Sequence, residues 1–550
     1  MAKNKKRQQA KGFSTRQWFV LISLAGALVV MGGLGMAAGN FGKSNPIEVS
    51  TVQATERLAV ASVSPLNSNS SSWYCNWYMP GTGGLTKVSV LLANTSSKGM
   101  SATLKTYVGK SEQSRSLTVP PHSFLRYPQV VTPTNESGAI SFVANGGGTL
   151  AELEISGPLG SAIAPCNSSP SAHWVALGAN TLPGSESGIS IFNPFAQDAV
   201  VDVAFSSQFQ QFAPGSLQGL VIAPHASENI DLTQYFSGRT HVAISVSTRI
   251  GRVVLGGVVG RNDKGNAGLS ALATFPATGS QWNFPVGELS TNQNQEILIY
   301  NPNSFGVTTD LSFSYLDLKA VSTGSTTSTT SSSSTTTVVK QTGKSQQTKN
   351  TKGASNQSPS TNNLTEKIAA NSVAVVSVKA QTAVANGKSY SATVSVKGGF
   401  GVVAAEEFIG SLSTPNSRYQ VVGGSPLTTQ HWIALYDPSI VGISQAQAWL
   451  ATIHTGRGDP EAQKTPLVDL GPTYLAPAGQ PAASLPTEQA LLAQTTSQRL
   501  NKSKKLNSVG TLSPEVTGMI VSSKTPFALG SVMGQSSGDL YVVPVIPFAN

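Results

Sequence analysis

Four times along the chain, an apolar run of alternating Ile, Val, Leu, Tyr or Phe residues enters a turn built on Asn-Pro or a relative. The copies are VSVLLANTS with Asn94, ISIFNPF with Asn193, ILIYNPN with Asn301 and IALYDPS with Asp437. Period-two alternation running into a turn residue and a non-donating proline predicts a strand that ends there. A second signature follows in each copy: VPPHS around Pro120, IAPHAS around Pro224, IAANSV around Ala370 and LAPAGQ around Pro477. The third is a pair of alternating runs joined by small residues, ending at Gly157, Gly260, Gly410 and Gly534. Its pattern predicts hairpins. The second and third signatures stand 37, 36 and 40 residues apart in the first three copies and 57 in the fourth, which implies an insertion there. Trp174 precedes Asn193, and Trp282 precedes Asn301, by the same 19 residues.

Each repeat is about 100 residues and predicts some seven short strands, the pattern of an immunoglobulin-like β-sandwich. A propeller blade needs roughly 40 to 50 residues, so four sandwiches in a rod or arc are the expected architecture. The predicted fold class is all-β, with an N-terminal transmembrane helix ahead of the repeats. The units expected are repeat 1 at 73–166, repeat 2 at 167–275, repeat 3 at 276–425 and repeat 4 at 426–550. Repeat 3 carries a Ser/Thr-rich insertion at about 320–363 that is too poor in large apolar residues to fold. Repeat 4 carries one at about 486–510, with helix-forming residues and a basic end at Arg499, Lys502, Lys504 and Lys505.

Ahead of the repeats, Trp18 to Ala38 is a stretch of 21 uncharged residues, long enough to span a bilayer. Residues 1–17 carry Lys3, Lys5, Lys6, Arg7, Lys11 and Arg16 with no acid, so the positive-inside rule keeps them cytoplasmic and sends the body across the membrane. Residues 41–72 read as a stalk. The alternative is a signal peptide cut after Ala37, which would secrete the body. These six cations account for most of the formal +10 charge and leave +4 beyond them, so no nucleic-acid partner is expected. Charged residues make up 11% of the chain, too few for coiled coils or long charged helices.

Cys75 and Cys166 bracket the first repeat and predict a disulfide in an oxidising compartment. His122 and His225 recur in the second signature, and His173 and His431 each precede a tryptophan, which argues for packing rather than catalysis. The spacing of His, Cys, Asp and Glu reveals no metal motif, and no cofactor is expected. Glu152 and Glu154 share a strand face, whereas Glu406 and Glu407 point to opposite faces, and all four read as surface carboxylates. The GxSxG match at Gly534 to Gly538 lacks the following helix and histidine of a nucleophile elbow. Arg457-Gly458-Asp459 is too short a match to carry weight. Trp73, Tyr74, Trp77 and Tyr78 form the candidate ligand or partner surface, with packing as the alternative.

The basic flank and single span, the WYC segment at Trp73 to Cys75 and the recurring signatures together resemble a family of unknown function found in membrane-anchored or secreted actinobacterial proteins. The resemblance carries no activity and no functional residue. The expected role is non-enzymatic: a single-pass cell-envelope protein that meets a neighbouring protein or wall polysaccharide. A carbohydrate-binding accessory and a divergent hydrolase are the alternatives. Its few carboxylates also fit an acidic medium, since few native ion pairs are lost as pH falls.

Overall fold

Val, Ile, Thr and aromatic residues at period two fold into strands throughout the computed structural model. It describes residues 60–80, 85–109, 111–127, 136–263, 266–289, 293–318, 362–381, 388–410, 419–426, 428–436, 447–453, 473–477, 505–511, 517–534 and 540–548. Three 3-10 turns of three residues are the helical elements among them. No helix in the described residues is long and apolar enough to cross a membrane, and residues 18–38 lie outside them. So do the tripeptide at 457–459 and Ser536.

The first unit contains β1 (Ser71–Trp77), β2 (Lys87–Asn94), β3 (Met100–Val108), β4 (Ser111–Val119), β5 (Ser123–Tyr127), β6 (Gly138–Ala144), β7 (Thr149–Gly157) and β8 (Gly160–Pro165). They form two sheets, β1-β6-β3-β4 and β5-β2-β7-β8. The second contains β9 (His173–Ala179), β10 (Glu186–Phe192), β11 (Ala199–Ser206), β12 (Gln211–Phe212), β13 (Gln218–Ile222), β14 (Ser227–Asp231), β15 (Val242–Ile250), β16 (Val254–Asp263), β17 (Asn266–Ala271) and β18 (Ala273–Phe275). Its sheets are β12-β11-β15-β9-β18, with β13 also on β11, and β14-β10-β16-β17. The third contains β19 (Gln281–Leu289), β20 (Gln293–Asn301), β21 (Val307–Leu318), β22 (Asn362–Ile368), β23 (Ser372–Ser377), β24 (Lys388–Val396), β25 (Val403–Gly410) and β26 (Tyr419–Gly423). These pair as β19-β24-β21-β22 and β23-β20-β25-β26. The fourth contains β27 (Thr429–Tyr436), β28 (Gln447–Ile453), β29 (Thr473–Pro477), β30 (Lys505–Thr511), β31 (Thr517–Gly534), β32 (Leu540–Val543) and β33 (Val545–Pro547).

Two-sheet, sandwich-like units are therefore present, but the strand order departs from the immunoglobulin one. In each of the first three units the first strand pairs the sixth of the common set, as β1 pairs β6, and the second pairs the seventh, as β2 pairs β7. The immunoglobulin order instead places A beside B and F beside G. The third signature is not a hairpin. β6 and β7 lie in different sheets, as do β15 and β16, and β24 and β25. The chain crosses between sheets through left-handed glycines, Gly251 at φ 79° and Gly398 at φ 86°. β15 and β24 alternate apolar and polar residues as any strand with one covered face does, and that alternation cannot distinguish a lateral neighbour from a strand stacked in the next sheet.

Register also reassigns the fourth copy. Trp432 of β27 sits opposite Val521 of β31, as Trp174 of β9 sits opposite Val246 of β15. IALYDPS therefore belongs to the first strand of its unit. The counterpart of β10 is β28, in which Gln447 opposes Gly534 as Glu186 opposes Gly260. Residue 454, outside the described residues, follows Ile453 where Asn193 follows Phe192. Similarly β29 pairs the first half of β31 as β11 pairs β15, and β30 pairs β28 as β14 pairs β10, which removes the 57-residue anomaly. Lys505 and Leu506, expected at the end of a helical insertion, open strand β30.

The asparagine repeat has a direct physical reason. Asn193 is fully buried, and its amide donates to the carbonyls of Gln197, Ile222 and Ala223 at 2.7, 3.1 and 3.2 Å while its oxygen accepts from Phe195 N. Asn94 does the same with Lys98, Val119 and Pro120, and Asn301 with Phe305, Ile368 and Ala369. One side chain thus welds the first signature to the second. Each weld brings in a left-handed residue, His122, His225 or Asn371, at φ 44°, 54° and 50°. A tryptophan serves as a second recurring fastener. The indoles of Trp73, Trp174, Trp282 and Trp432 are at most 1% exposed and donate to the carbonyls of Thr149, Val253, Val402 and Phe527.

Residues 56–550 close on themselves instead of extending as a rod. Asn76 of the first unit donates to Ser190 O and Val254 O of the second, and Tyr419 of the third donates to Gly178 O of the second. Gln420 exchanges two hydrogen bonds with Val542 of the fourth. The fourth returns to the first through Tyr541 Oη on Ile163 N, through β29 alongside β5 and through Val63 beside Phe548. Each repeat supplies two sheets at about 50 residues apiece, so repeat length could not separate a row of sandwiches from this radial arrangement.

Candidate functional site: a central cavity and a buried charge cluster

A cavity of about 170 Å3 lies where the four units meet. It is lined by Ile163 of the first unit, Phe275 of the second, Glu406 and Gln420 of the third, and Trp432 and Ser531 of the fourth. Most of its wall comes from the innermost strands β8, β17, β18, β26, β32 and β33 and the residues beside them. Among the described lining residues Glu406 is the one carboxylate. Its side chain is 2% exposed and accepts a short hydrogen bond from Tyr390 Oη. Burial pushes the Glu406 carboxyl up to about 8, with the Tyr390 hydroxyl pulling partly against it. Glu406 is therefore mostly neutral at pH 7.

Glu152, Glu154, Glu406 and Glu407 are all buried, which overturns the reading of surface carboxylates. The reason is that the sheets carrying β7 and β25 are covered on both faces by neighbouring sheets of the ring. Glu154 is satisfied by Arg126 and Ser89, both at 2.8 Å. Among the described residues neither oxygen of Glu152 has a hydrogen-bond partner, and burial, reinforced by Glu154, holds its carboxyl well above the usual range.

The proposed aromatic surface is largely core. Trp73 and Trp77 are 1% and 0% exposed, Tyr78 is buried over Gly188 of the second unit, and Tyr74 is half-buried. Trp73 and Trp77 belong to the core of the first unit, their indoles donating to Thr149 O and Glu136 O, whereas Tyr74 and Tyr78 pack against the second unit and mark the junction. Cys75 and Cys166 are joined in a disulfide, with Cα atoms 4.7 Å apart, beneath these rings. Of the histidines, His122 and His225 occupy the left-handed turns, and His173 and His431 are exposed.

One constellation was not legible in sequence spacing. His241 sits just before β15, and Glu296 and Glu407 face each other across the β20/β25 ladder. His241 Nε2 lies 2.7 Å from Glu296 Oε2 and 3.2 Å from Glu407 Oε2. Arg261 Nη1 holds Glu407 Oε1 at 2.9 Å, and Asn294 Nδ2 holds Glu296 Oε1 at 3.1 Å. Burial opposes a charge on His241, but the two carboxylates outweigh it and lift the imidazole to about 9. Glu407 is opposed by burial as well, yet His241 and Arg261 bring it below the usual carboxylate value. These residues lie 55 and 111 positions apart and become neighbours only when the second unit meets the third.

No curated protein matches the chain. A family model matches residues 156–265, from the end of β7 through most of the second unit, and it is described as a family of unknown function, DUF5719. Over those residues the chain is similar to a family to which no function has been assigned.

Proposed function

We propose that this is a non-enzymatic, single-pass protein of the cell envelope, whose ring of units presents an extracytoplasmic surface to a neighbouring protein. The observation that carries this reading is the ring closure: the shared polar groups Asn76, Tyr419, Gln420 and Tyr541 fasten each unit to the next and fix the relative positions of the surface loops. Such rigidity lowers the ordering cost of binding a partner. Residues 18–38 are the proposed membrane span, with residues 1–17 inside. The Cys75–Cys166 bond suits the oxidising side.

The turns after Asn94, Asn193 and Asn301 and the crossovers between sheets gather at one end of the strands, the end where β1 also begins. Phe195, Ile250, Phe305 and Phe400 are exposed there, and the last two rings touch edge-to-face at 4.8 Å. This is the proposed contact face. Its test is a photo-crosslinking amino acid placed in the full chain in its native cells, at Phe400 or at Phe209 at the opposite strand ends, with protease accessibility of intact cells reporting the side. A discrete protein adduct from position 400 and not from 209, abolished by Phe305→Ser, is expected. Equal labelling from both positions, or shielding of the body on the cytoplasmic side, would overturn the reading.

A further inference from the structure

We infer that His241, Glu296 and Glu407 form a binding site for a divalent transition-metal ion at the junction of the second and third units. His241 Nε2, Glu296 Oε2 and Glu407 Oε2 lie within 4.8 Å of one another, and each is shut off from solvent without an aligned hydrogen bond. Glu407 is 2% exposed on its side chain, and its Oε2 meets the imidazole at 3.2 Å only as a poorly aligned ion pair, which leaves a buried carboxylate oxygen short of a well-formed hydrogen bond. A cation does so at all three atoms together.

The outer contacts follow the arrangement that supports a metal. Each carboxylate spends one oxygen on a neighbour, Glu407 on Arg261 and Glu296 on Asn294, and turns the other toward the imidazole. Such contacts orient ligands and limit their freedom. Donors around zinc at bond lengths of 2.0 to 2.1 Å stand roughly 3.3 Å apart in a tetrahedron. The observed 2.7 and 3.2 Å need openings of about 0.6 and 0.1 Å to reach that spacing. His241 and Glu296 remain 14% and 16% exposed on their side chains, so the cluster lies close beneath the surface.

The donor set of one imidazole nitrogen and two carboxylate oxygens suits zinc, cobalt, manganese or iron(II) rather than copper(I) or an iron–sulfur cluster. Because His241 comes from one unit and both glutamates from the next, the ion would staple the two. The competing account is a closed ion network of His241, Arg261 and two carboxylates, which is formally neutral when the imidazole is protonated. The two accounts differ in metal uptake.

The test uses the full chain stripped with chelator and titrated with Zn2+, and separately with Co2+. One equivalent of each is expected, with a tenfold or greater loss of affinity in His241→Gln and in Glu407→Gln, and no change in the exposed control His173→Gln. Because either variant at a buried junction can misfold, the wild-type Co2+ form provides a second readout: a paramagnetically shifted histidine ring resonance that Zn2+ displaces. Failure of the folded wild-type chain to take up either ion stoichiometrically would overturn the site. So would uptake undiminished in both folded variants, or a Co2+ form without that resonance.

Discussion

Replacing Asn193 by aspartate exchanges an amide donor for a carboxylate while leaving shape almost unchanged. The wild-type amide satisfies three carbonyls at 2.7 to 3.2 Å, with the side chain fully buried. At a net ~1 kcal/mol per hydrogen bond, alanine at this position costs ~3 kcal/mol, allowing for carbonyls left unpaired. Aspartate costs more, ~4 to 5 kcal/mol, because it faces three carbonyl oxygens with charge. Urea unfolding of the full chain, followed by fluorescence of the buried tryptophans, converts these into midpoints. With a slope of about 2 kcal/mol/M for one unit, Asn193→Ala lowers the midpoint by ~1.5 M and Asn193→Asp by ~2 M or more. Asn94→Ala and Asn301→Ala act as internal replicates, and exposed Asn145→Ala as the neutral control. A shift below ~0.3 M in Asn193→Ala, or an aspartate variant no worse than alanine, would refute the clamp.

Folded Glu406 keeps its proton to about pH 8 against a reference value of 4.5, so its contribution weakens as pH rises between those values. At ~1.4 kcal/mol per pH unit the burial costs ~3 kcal/mol at pH 7, and Glu406→Gln should gain most of that at pH 7 and almost nothing at pH 4; an equal effect at both pH values contradicts the assignment. Reducing Cys75–Cys166 opens a loop of 91 residues and should destabilise by ~4 to 5 kcal/mol on the chain-entropy account, measured as the difference in urea midpoint with and without reductant. His122 holds φ 44°, so His122→Gly is expected to stabilise by ~0.5 to 1 kcal/mol, and a loss of stability would show that its ring matters more than its backbone.

Much of the repeat was readable because its fasteners are local. Asn193 and Asn301 mark strand ends, and Trp174 and Trp282 keep phase with them, as the structure requires of residues that grip fixed carbonyls. Lateral pairing was not readable. The runs that make β6 and β7 are mostly buried on both faces, β7 even with Glu152 and Glu154 on one of them, and a strand of that kind carries no mark of which neighbour it bonds. Burial of Glu152 and Glu406 was hidden for a related reason: covering both faces of a sheet is a property of the ring, not of the strand. His241, like His454, falls outside the repeating histidine pairs, so the sequence offered nothing that singled it out with its partners Glu296 and Glu407.

β21 and β22 form a continuous ladder from Val307 opposite Ile368 to Phe313 opposite Asn362, on either side of residues 319–361. A single backbone cut anywhere in that stretch would leave two fragments still interlocked, since the piece ending near Leu318 and the piece beginning near Asn362 share this ladder and two further junctions around the circle. Scission would be silent in any assay under native conditions and visible only after denaturation. A protease acting there could nick every copy without releasing either fragment.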